Sequence, residues 1–161
     1  MRNYKKKYFL LLIIIFLIIF GVTISNKIFF TKPIQQAKQI NEINYVKIAG
    51  QKIKVDLALT PKAQEQGLSG RSGLKEDEGM LFVFNQAGKY PFWMKDMNFP
   101  IDIIWIGEDF RVVYIKENAQ LASYPETFVS SEDAKYVLEV ISSFSEKNNL
   151  KEGDKVEFLS S

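Results

Sequence analysis

The sequence predicts an α+β fold, with a small, mostly antiparallel β-sheet or partly closed barrel and two short helices, behind an N-terminal transmembrane helix. Short apolar runs, several of them alternating with polar residues, recur after residue 43 and are separated by turn residues, as in small β-rich domains. Two short segments carry helix-capping signals instead. An uncharged apolar run precedes all of these elements at the N terminus and is typical of a membrane-spanning segment.

The first 30 residues predict a membrane anchor or a signal sequence. The run from Tyr8 to Ile24 has 17 uncharged residues and follows three lysines, Lys5 to Lys7. This length is short for a spanning helix but exceeds the usual apolar region of a signal peptide, and residues 23–25 are a weak cleavage site. We expect an uncleaved single-pass anchor in the cell membrane, with the basic cluster in the cytoplasm and the globular domain extracytoplasmic. Cleavage would instead give a secreted protein.

The remainder is predicted to be a polar linker, or a short helix, over residues 31–42 and a single β-rich globular domain over residues 43–161. Residues 1–30 hold five of the 21 basic residues and none of the 19 acidic ones, so the rest carries 16 basic against 19 acidic side chains. A domain with this balance lacks the basic face of a nucleic-acid-binding protein. We therefore expect no nucleic-acid partner.

The chain contains no cysteine and no histidine. Without cysteine it cannot form disulfides, use a thiolate nucleophile or carry a lipoprotein-type anchor. Without histidine it lacks His-based triads and His-ligated metal sites. Acid–base chemistry would need carboxylates, Lys or Tyr, and metals that prefer oxygen ligands stay open. No nucleotide, flavin or haem motif is present, so no cofactor is predicted.

The domain begins with a predicted hairpin and helix. Apolar and polar residues alternate on both sides of "AGQ" in residues 43–59, which predicts two paired strands. Thr60 is then a predicted helix N-cap, with Pro61 at the first helical position and Gly67 or Gly70 at the end.

The later elements follow from shorter patterns. Strands are predicted over residues 80–84, 90–95, 101–106, 111–117 and 135–141 and in "KVEFL", and residues 118–134 show no pattern and are predicted to be a long loop. The segment "SSFSEKNNL" predicts the second short helix, because Ser143 and Glu146 have capping-box spacing. The total is seven or eight short strands.

Asp102 raises the main question about function, because it lies in the apolar run "IDIIWI". A buried, unpaired carboxylate is costly and needs a cation or several N–H donors. We hypothesise that Asp102 pairs inside or at the rim of a pocket with Arg71 or Lys95, the nearest plausible cations in sequence. The alternative is a strand-end carboxylate that links the Pro100 turn to the next strand.

Trp93, Arg71 and the acidic loop suggest further roles. Trp93 with Lys95 could form a stacking platform and cationic hook for an anion, or be a core or rim tryptophan beside a solvated lysine. Arg71 follows a glycine-rich loop and could bind a carboxylate or phosphate, or form a helix-end salt bridge. The acids of "KEDEG", with Asp96, could bind a hard metal, but a solvated acidic loop is favoured.

Four segments occur in an order that resembles one bacterial and archaeal family. They are "GLSGRSGLKEDEGMLFVF", "FWMKDMNFPIDIIWI", "KYVLEV" and "GDKVEF". Together they are similar to the family catalogued as domain of unknown function 192, over about residues 43–159. The resemblance implies a small β-rich α+β domain, often behind a signal sequence or anchor, and brings no known reaction.

The resemblance also marks a set of site residues. The family's recurrent positions match Arg71, Glu78, Trp93, Met94, Lys95 and Asp102. Where the family usually has Asn-Thr after Trp-Met-Lys, this chain has Asp96-Met97, which adds a carboxylate and removes a hydroxyl. Ser69-Gly70 replaces the apolar pair that commonly follows Gly-Leu, so this turn is more polar.

Three functions compete at this point. The first is a membrane-anchored binding module for a small anionic or sugar-like ligand, with the six residues above as the binding site. The second is a structural or partner-binding envelope domain, in which the motif holds the sheet together. The third is an envelope hydrolase with Asp102 or Glu78 as acid or base. No catalytic residue is assigned.

Overall fold

Residues 40–160 are the part of the chain that the computed structural model describes, and they form a seven-stranded sheet, a two-stranded sheet and two short helices. The strands are β1 (Tyr45–Ile48), β2 (Gln51–Ala58), β3 (Glu78–Gly88), β4 (Phe92–Trp93), β5 (Ile101–Ile106), β6 (Val112–Ala119), β7 (Thr127–Phe128), β8 (Ala134–Ile141) and β9 (Val156–Leu159). The helices are α1 (Pro61–Gln66) and α2 (Phe144–Lys147), and a 3-10 turn covers Leu121–Ser123.

The predicted membrane segment and nearly all of the predicted linker lie outside these described residues. Between residues 40 and 160, no helix is long and apolar enough to cross a membrane. Contacts group Glu42–Ser161 into one compact unit.

The predicted hairpin and first helix are confirmed. β1 and β2 are antiparallel, and the two residues between them, Ala49 and Gly50, both have positive φ, as a tight primed turn requires. Thr60 caps α1, because its hydroxyl accepts the N–H of Ala63 at 3.2 Å. Gly67 ends the helix with φ of 49°.

The seven-stranded sheet is mixed, in the order β6-β5-β8-β3-β2-β1-β9. β2 and β3 run parallel, because the connection between them, residues 59–77 with α1, is long enough for a crossover. This pair joins two antiparallel groups, β6-β5-β8-β3 and β2-β1-β9. The expectation of a mostly antiparallel sheet is corrected accordingly.

The sheet curls so that its two edge strands approach each other. A bridge joins Arg111 to Lys155, next to β6 and β9, and the N–H of Val112 donates to the carbonyl of Asp154 at 2.9 Å. Edge strands that meet in this way are protected from pairing with other chains.

Both faces of the curled sheet are buried at its central strands. One face carries Phe82, Ile103, Trp105 and Val137, and is covered by Phe92, Met94, Met97, Phe99 and Phe128 from the β4–β7 side. The opposite face buries Ile53, Leu81, Ile104 and Leu138. A polar side chain in the middle of β5 or β8 therefore enters a core, whichever face it lies on.

Two local predictions are wrong. The strand expected over residues 90–95 is only Phe92–Trp93, and it pairs with β7, which lies in the segment expected to be a loop. Ser143 precedes α2 with φ of 69° and makes no side-chain cap, so the capping box does not form. The carboxylate of Asp102 takes the place of this cap, as described below.

Candidate functional site

A groove of about 280 Å³ lies between the end of α1 and the segment that leads into β4. Its lining residues are Gln64, Glu65, Gln66, Gly67, Leu68, Ser69, Phe82, Phe84, Tyr90, Pro91, Phe92, Trp93, Met97 and Glu139. Aromatic rings and other apolar side chains dominate this lining, with a few polar groups between them. This composition is typical of small-ligand sites.

Glu139 is the most unusual of the lining residues. It lies in the middle of β8 and is only 4% exposed. Its Oε2 atom is buried and has no hydrogen-bond partner in the described part of the chain. Buried polar side chains are almost always paired, so an unpaired carboxyl oxygen needs a specific explanation.

The strand register explains why no donor reaches Glu139. Its cross-strand neighbours are Met80 on β3 and Ile103 on β5, and neither side chain can donate a hydrogen bond. Gly67 approaches from α1, where a Cβ would lie 3.7 Å from Oε2 and 3.3 Å from the ring of Phe82. A glycine at this position keeps a further side-chain atom away from Oε2, on the side where Glu139 borders the groove.

The electrostatic consequence is a large increase in the pKa of Glu139. Burial raises the pKa of the Glu139 carboxyl from 4.5 to about 8, and the nearby positive charge of Arg71 offsets part of this increase. The carboxyl is therefore protonated at neutral pH and can donate a hydrogen bond. Above about pH 8 it becomes a carboxylate that no cation of the described residues contacts directly, because the Arg71 guanidinium is bound to Asp56.

Aromatic rings form the walls of the groove. Phe84 and Tyr90 are stacked with centroids 3.5 Å apart, and Phe82 meets Phe92 edge-on at 4.8 Å. Trp93 is 44% exposed, which is high for so large an apolar side chain. Because Trp93 and Phe92 alternate on β4, Phe92 faces the core while Trp93 stays in contact with solvent.

The segment after α1 is fixed to the segment after β4. The hydroxyl of Ser69 donates to the carbonyl of Lys95 at 2.8 Å, and the N–H of Gly70 donates to the carbonyl of Asp96 at 2.9 Å. Asn98 donates from its amide to the carbonyl of Arg71 at 2.9 Å. The polar turn at Ser69-Gly70 thus joins the two segments that border the groove.

Asp102 lies away from this groove, on the opposite face of the sheet. It is opposite Val140 in the register, one step from the Ile103–Glu139 pair, and is 0% exposed. Its Oδ1 accepts the N–H of Asn118 at 2.8 Å and of Ser143 at 3.2 Å, and its Oδ2 accepts the N–H of Ser145 at 2.8 Å.

These bonds connect β5 to the end of β6 and to the first turn of α2. The hypothesised ion pair with Arg71 or Lys95 does not form, because three backbone donors already converge on the carboxylate of Asp102. These contacts resemble the alternative prediction, in which Asp102 is a strand-end carboxylate that links the Pro100 turn to the next strand.

The other predicted site residues are dispersed. Arg71 pairs with Asp56 at 2.7 Å near the surface, and Glu78 pairs with Lys75 at 2.8 Å. The bond to Lys75 lowers the pKa of Glu78 and raises that of Lys75. Met94 is buried in the core at 2% exposure.

Trp93 is thus the one predicted residue that lines the groove. Lys95 is exposed, and its side chain is not part of the lining. Of the predicted stacking and cationic pair, Trp93 therefore lines the groove and Lys95 lies on the surface outside it.

No group of three or more Asp or Glu residues within residues 40–160 could hold a metal ion. Glu76 and Glu78 instead pair with Lys147 and Lys75. The oxygen-ligand site considered for the acidic loop is therefore not formed by the described residues.

Glu139 was missed by the sequence analysis, although the signal was present. It stands in the apolar strand "KYVLEVI" just as Asp102 stands in "IDIIWI". The same argument about an ion in a buried strand applies to both residues. Chemically, the groove offers one carboxyl that titrates near neutral pH, together with aromatic surfaces.

The comparisons with known proteins agree with the fold. The model of the family described as "Uncharacterized ACR", domain of unknown function 192, matches residues 44–158. None of the curated proteins matches the chain.

Two solved structures are similar over most of their length. A protein of unknown function from Novosphingobium aromaticivorans is 34% identical, with a TM-score of 0.67, over 71% of this chain and 84% of its own. A candidate transcription regulator from Sinorhizobium meliloti is 32% identical, with a TM-score of 0.66, over 71% of this chain and 90% of its own. Because this family model spans more than two thirds of the sequence, the chain belongs to the family defined by domain of unknown function 192.

Proposed function

We propose that the domain binds a small ligand in the groove between α1 and β4. The observation that carries the proposal is the buried, unpaired carboxyl of Glu139 at the groove. A ligand with a polar end against Glu139 would provide the missing hydrogen-bond partner. Its apolar body would contact the aromatic walls and the exposed face of Trp93.

The charged groups of the lining disfavour the anionic ligand suggested by the sequence. It contains two carboxyl groups, Glu65 and Glu139, and no Lys or Arg from the described residues. An anion would therefore meet the negative charge of Glu65, joined by that of Glu139 above about pH 8, without a compensating cation in the lining. A neutral ligand, such as a sugar-like molecule that stacks on an aromatic ring, or a cationic ligand fits this composition better.

The test is native mass spectrometry of the full-length chain, purified in mild detergent from envelope extract. We expect a bound small-molecule mass on the wild-type chain and on Leu121→Ala, which removes an apolar side chain of similar exposure outside the groove. We expect this mass to be lost from Trp93→Ala. A bare wild-type mass, or equal retention by all three proteins, would contradict the proposal.

We also propose that the N-terminal segment anchors this domain outside the cell membrane. The support is the order of a basic cluster followed by an apolar run in residues 5–24. The chain should stay in the membrane pellet after alkaline extraction, and external protease should degrade its domain in intact spheroplasts. Recovery in the alkaline supernatant, or full protection from protease, would count against the anchor or its orientation.

A hydrolase is the second candidate function, and the pKa of Glu139 is the observation that favours it. A carboxyl that titrates near pH 8 suits a general acid. Asp102 no longer fits this role, because its two oxygens hold backbone N–H groups. Catalysis would be indicated if wild-type protein converted the co-purified compound into a product and Glu139→Gln retained the compound unchanged.

A further inference from the structure

We infer that the ligand of this groove is a small organic amine, bound as an ammonium ion with an apolar body. The inference rests on the proposed binding function and specifies the ligand class. It follows from three features of the groove, which concern the neighbours of Glu139, the charge of the lining and the walls.

The first feature is the environment of Glu139 on every side. β3 contributes Met80 and Phe82, β5 contributes Ile103, and none of these side chains carries a charge. The loop after α1 contributes Arg71, whose charge reaches Glu139, but the guanidinium itself is bound to Asp56 at 2.7 Å. The carboxylate form of Glu139 therefore has no contacting cation among the described residues, and a ligand could supply one.

The second feature is the charge of the lining. Glu65 on α1 adds a second carboxyl group, while Gln64, Gln66, Ser69 and Tyr90 add neutral polar groups. All four of these groups already donate elsewhere. The Gln64 amide donates to the carbonyls of Ala58 and Val83, and the Gln66 amide donates to the carbonyl of Ser69. The Ser69 hydroxyl donates to the carbonyl of Lys95, and the Tyr90 hydroxyl donates to the carbonyl of Gln86. The remaining electrostatic preference is for a positive charge.

The third feature is the wall. The rings of Phe82, Phe92, Trp93 and the stacked Phe84–Tyr90 pair line the same groove as the carboxyl. Aromatic faces attract ammonium groups, and the attraction is larger where water is excluded. A volume of about 280 Å³ limits the ligand to a small molecule.

Binding of an amine should be linked to the protonation of Glu139. Below about pH 8 the carboxyl holds a proton that must leave before an ion pair can form. Affinity should therefore increase as the pH rises through about 8, and decrease again above the pKa of the amine, at about 10. The other charged groups near the site are Glu65, Arg71 and Asp56, the ion-pair partner of Arg71.

The experiment compares three isosteric probes by titration calorimetry with the full-length chain in nanodiscs, using empty nanodiscs as a blank. The probes are 2-phenylethylamine, 2-phenylethanol and phenylacetate. We expect the amine to bind about tenfold more tightly than the alcohol above pH 8, and phenylacetate to bind least. In Glu139→Gln the amine should lose about tenfold in affinity together with the increase in affinity through about pH 8, while the alcohol is unaffected.

Glu126→Gln is the matched control, because it makes the same chemical change at an exposed position outside the groove, and it should keep the preference for the amine. The inference is overturned if the alcohol or phenylacetate binds as tightly as the amine, or if Glu139→Gln leaves amine binding intact. It is also overturned if none of the three probes binds. In each case a co-purified mass that depends on Trp93 would still support the proposed binding function, so the two failures are distinguishable.

Discussion

Asp102 and Glu139 lie on neighbouring strands, one register step apart, and point to opposite faces of the sheet. Both are buried carboxyl groups in apolar strands, at 0% and 4% exposure. Asp102 accepts three backbone N–H groups, whereas Oε2 of Glu139 accepts none. The comparison shows two outcomes for a buried carboxyl group. If backbone N–H groups converge on it, as at Asp102, it stabilises the fold. If the strand register places only apolar side chains beside it, as at Glu139, it is a candidate binding site.

The largest effect should come from Asp102→Asn. The amide offers one acceptor oxygen to three N–H groups, and its NH₂ group must face a donor. We expect the free energy of unfolding to fall by about 3 to 5 kcal/mol in urea denaturation. The control Asp133→Asn, at an exposed position, should change it by less than about 0.5 kcal/mol. A loss as small as that of the control would mean that the carboxylate does not hold the first turn of α2.

Glu139→Gln should instead increase the free energy of unfolding, by an amount that depends on pH. Between pH 4.5 and about 8 the folded carboxyl keeps its proton while the unfolded one loses it, so the folded state binds more protons. Stability of the wild type should therefore fall as pH rises through this window. The variant lacks this loss. Its free energy of unfolding should therefore exceed that of the wild type by on the order of 3 kcal/mol near neutral pH.

The measurement is the free energy of unfolding across this pH window for wild type, Glu139→Gln and Glu65→Gln. The Glu65→Gln curve should follow that of the wild type, because the Glu65 side chain is exposed. Equal pH slopes for wild type and Glu139→Gln would show that Glu139 ionises normally, and the contrast with Asp102 would then disappear.

The smallest effect concerns Arg71, whose charge favours the ionised form of Glu139. In Arg71→Ala the pKa of Glu139 should rise further, as followed by carbon-13 NMR titration of the carboxyl. The loss of stability should stay below about 1 kcal/mol, because the Arg71–Asp56 pair is exposed. Lys95→Ala is the matched control and should leave the Glu139 titration unchanged. An equal shift in both variants would assign the effect to overall charge instead of to Arg71.

The sequence predicted more of the fold than of the site. Alternation located the hairpin, and short continuous apolar runs located the central strands. Thr60, Pro61 and Gly67 marked the first helix, because such signals act over a few residues. The parallel pairing of β2 with β3 was not predictable, since alternation does not encode strand direction. The β4–β7 pair was missed because two-residue strands leave no periodic pattern.

The same limit explains the outcome for the candidate site. By itself, the sequence determined a β-rich domain without cysteine or histidine, with two carboxyl groups in buried strands and an aromatic segment that ends at Trp93. Only the tertiary structure decided which carboxyl is paired. Partners that lie 16 to 43 residues away in the chain converge on Asp102. Met80 and Ile103, which are also distant in the chain, lie beside Glu139 and offer it no hydrogen-bond donor. The reason is that hydrogen bonding and desolvation depend on distances in space and not on sequence separation.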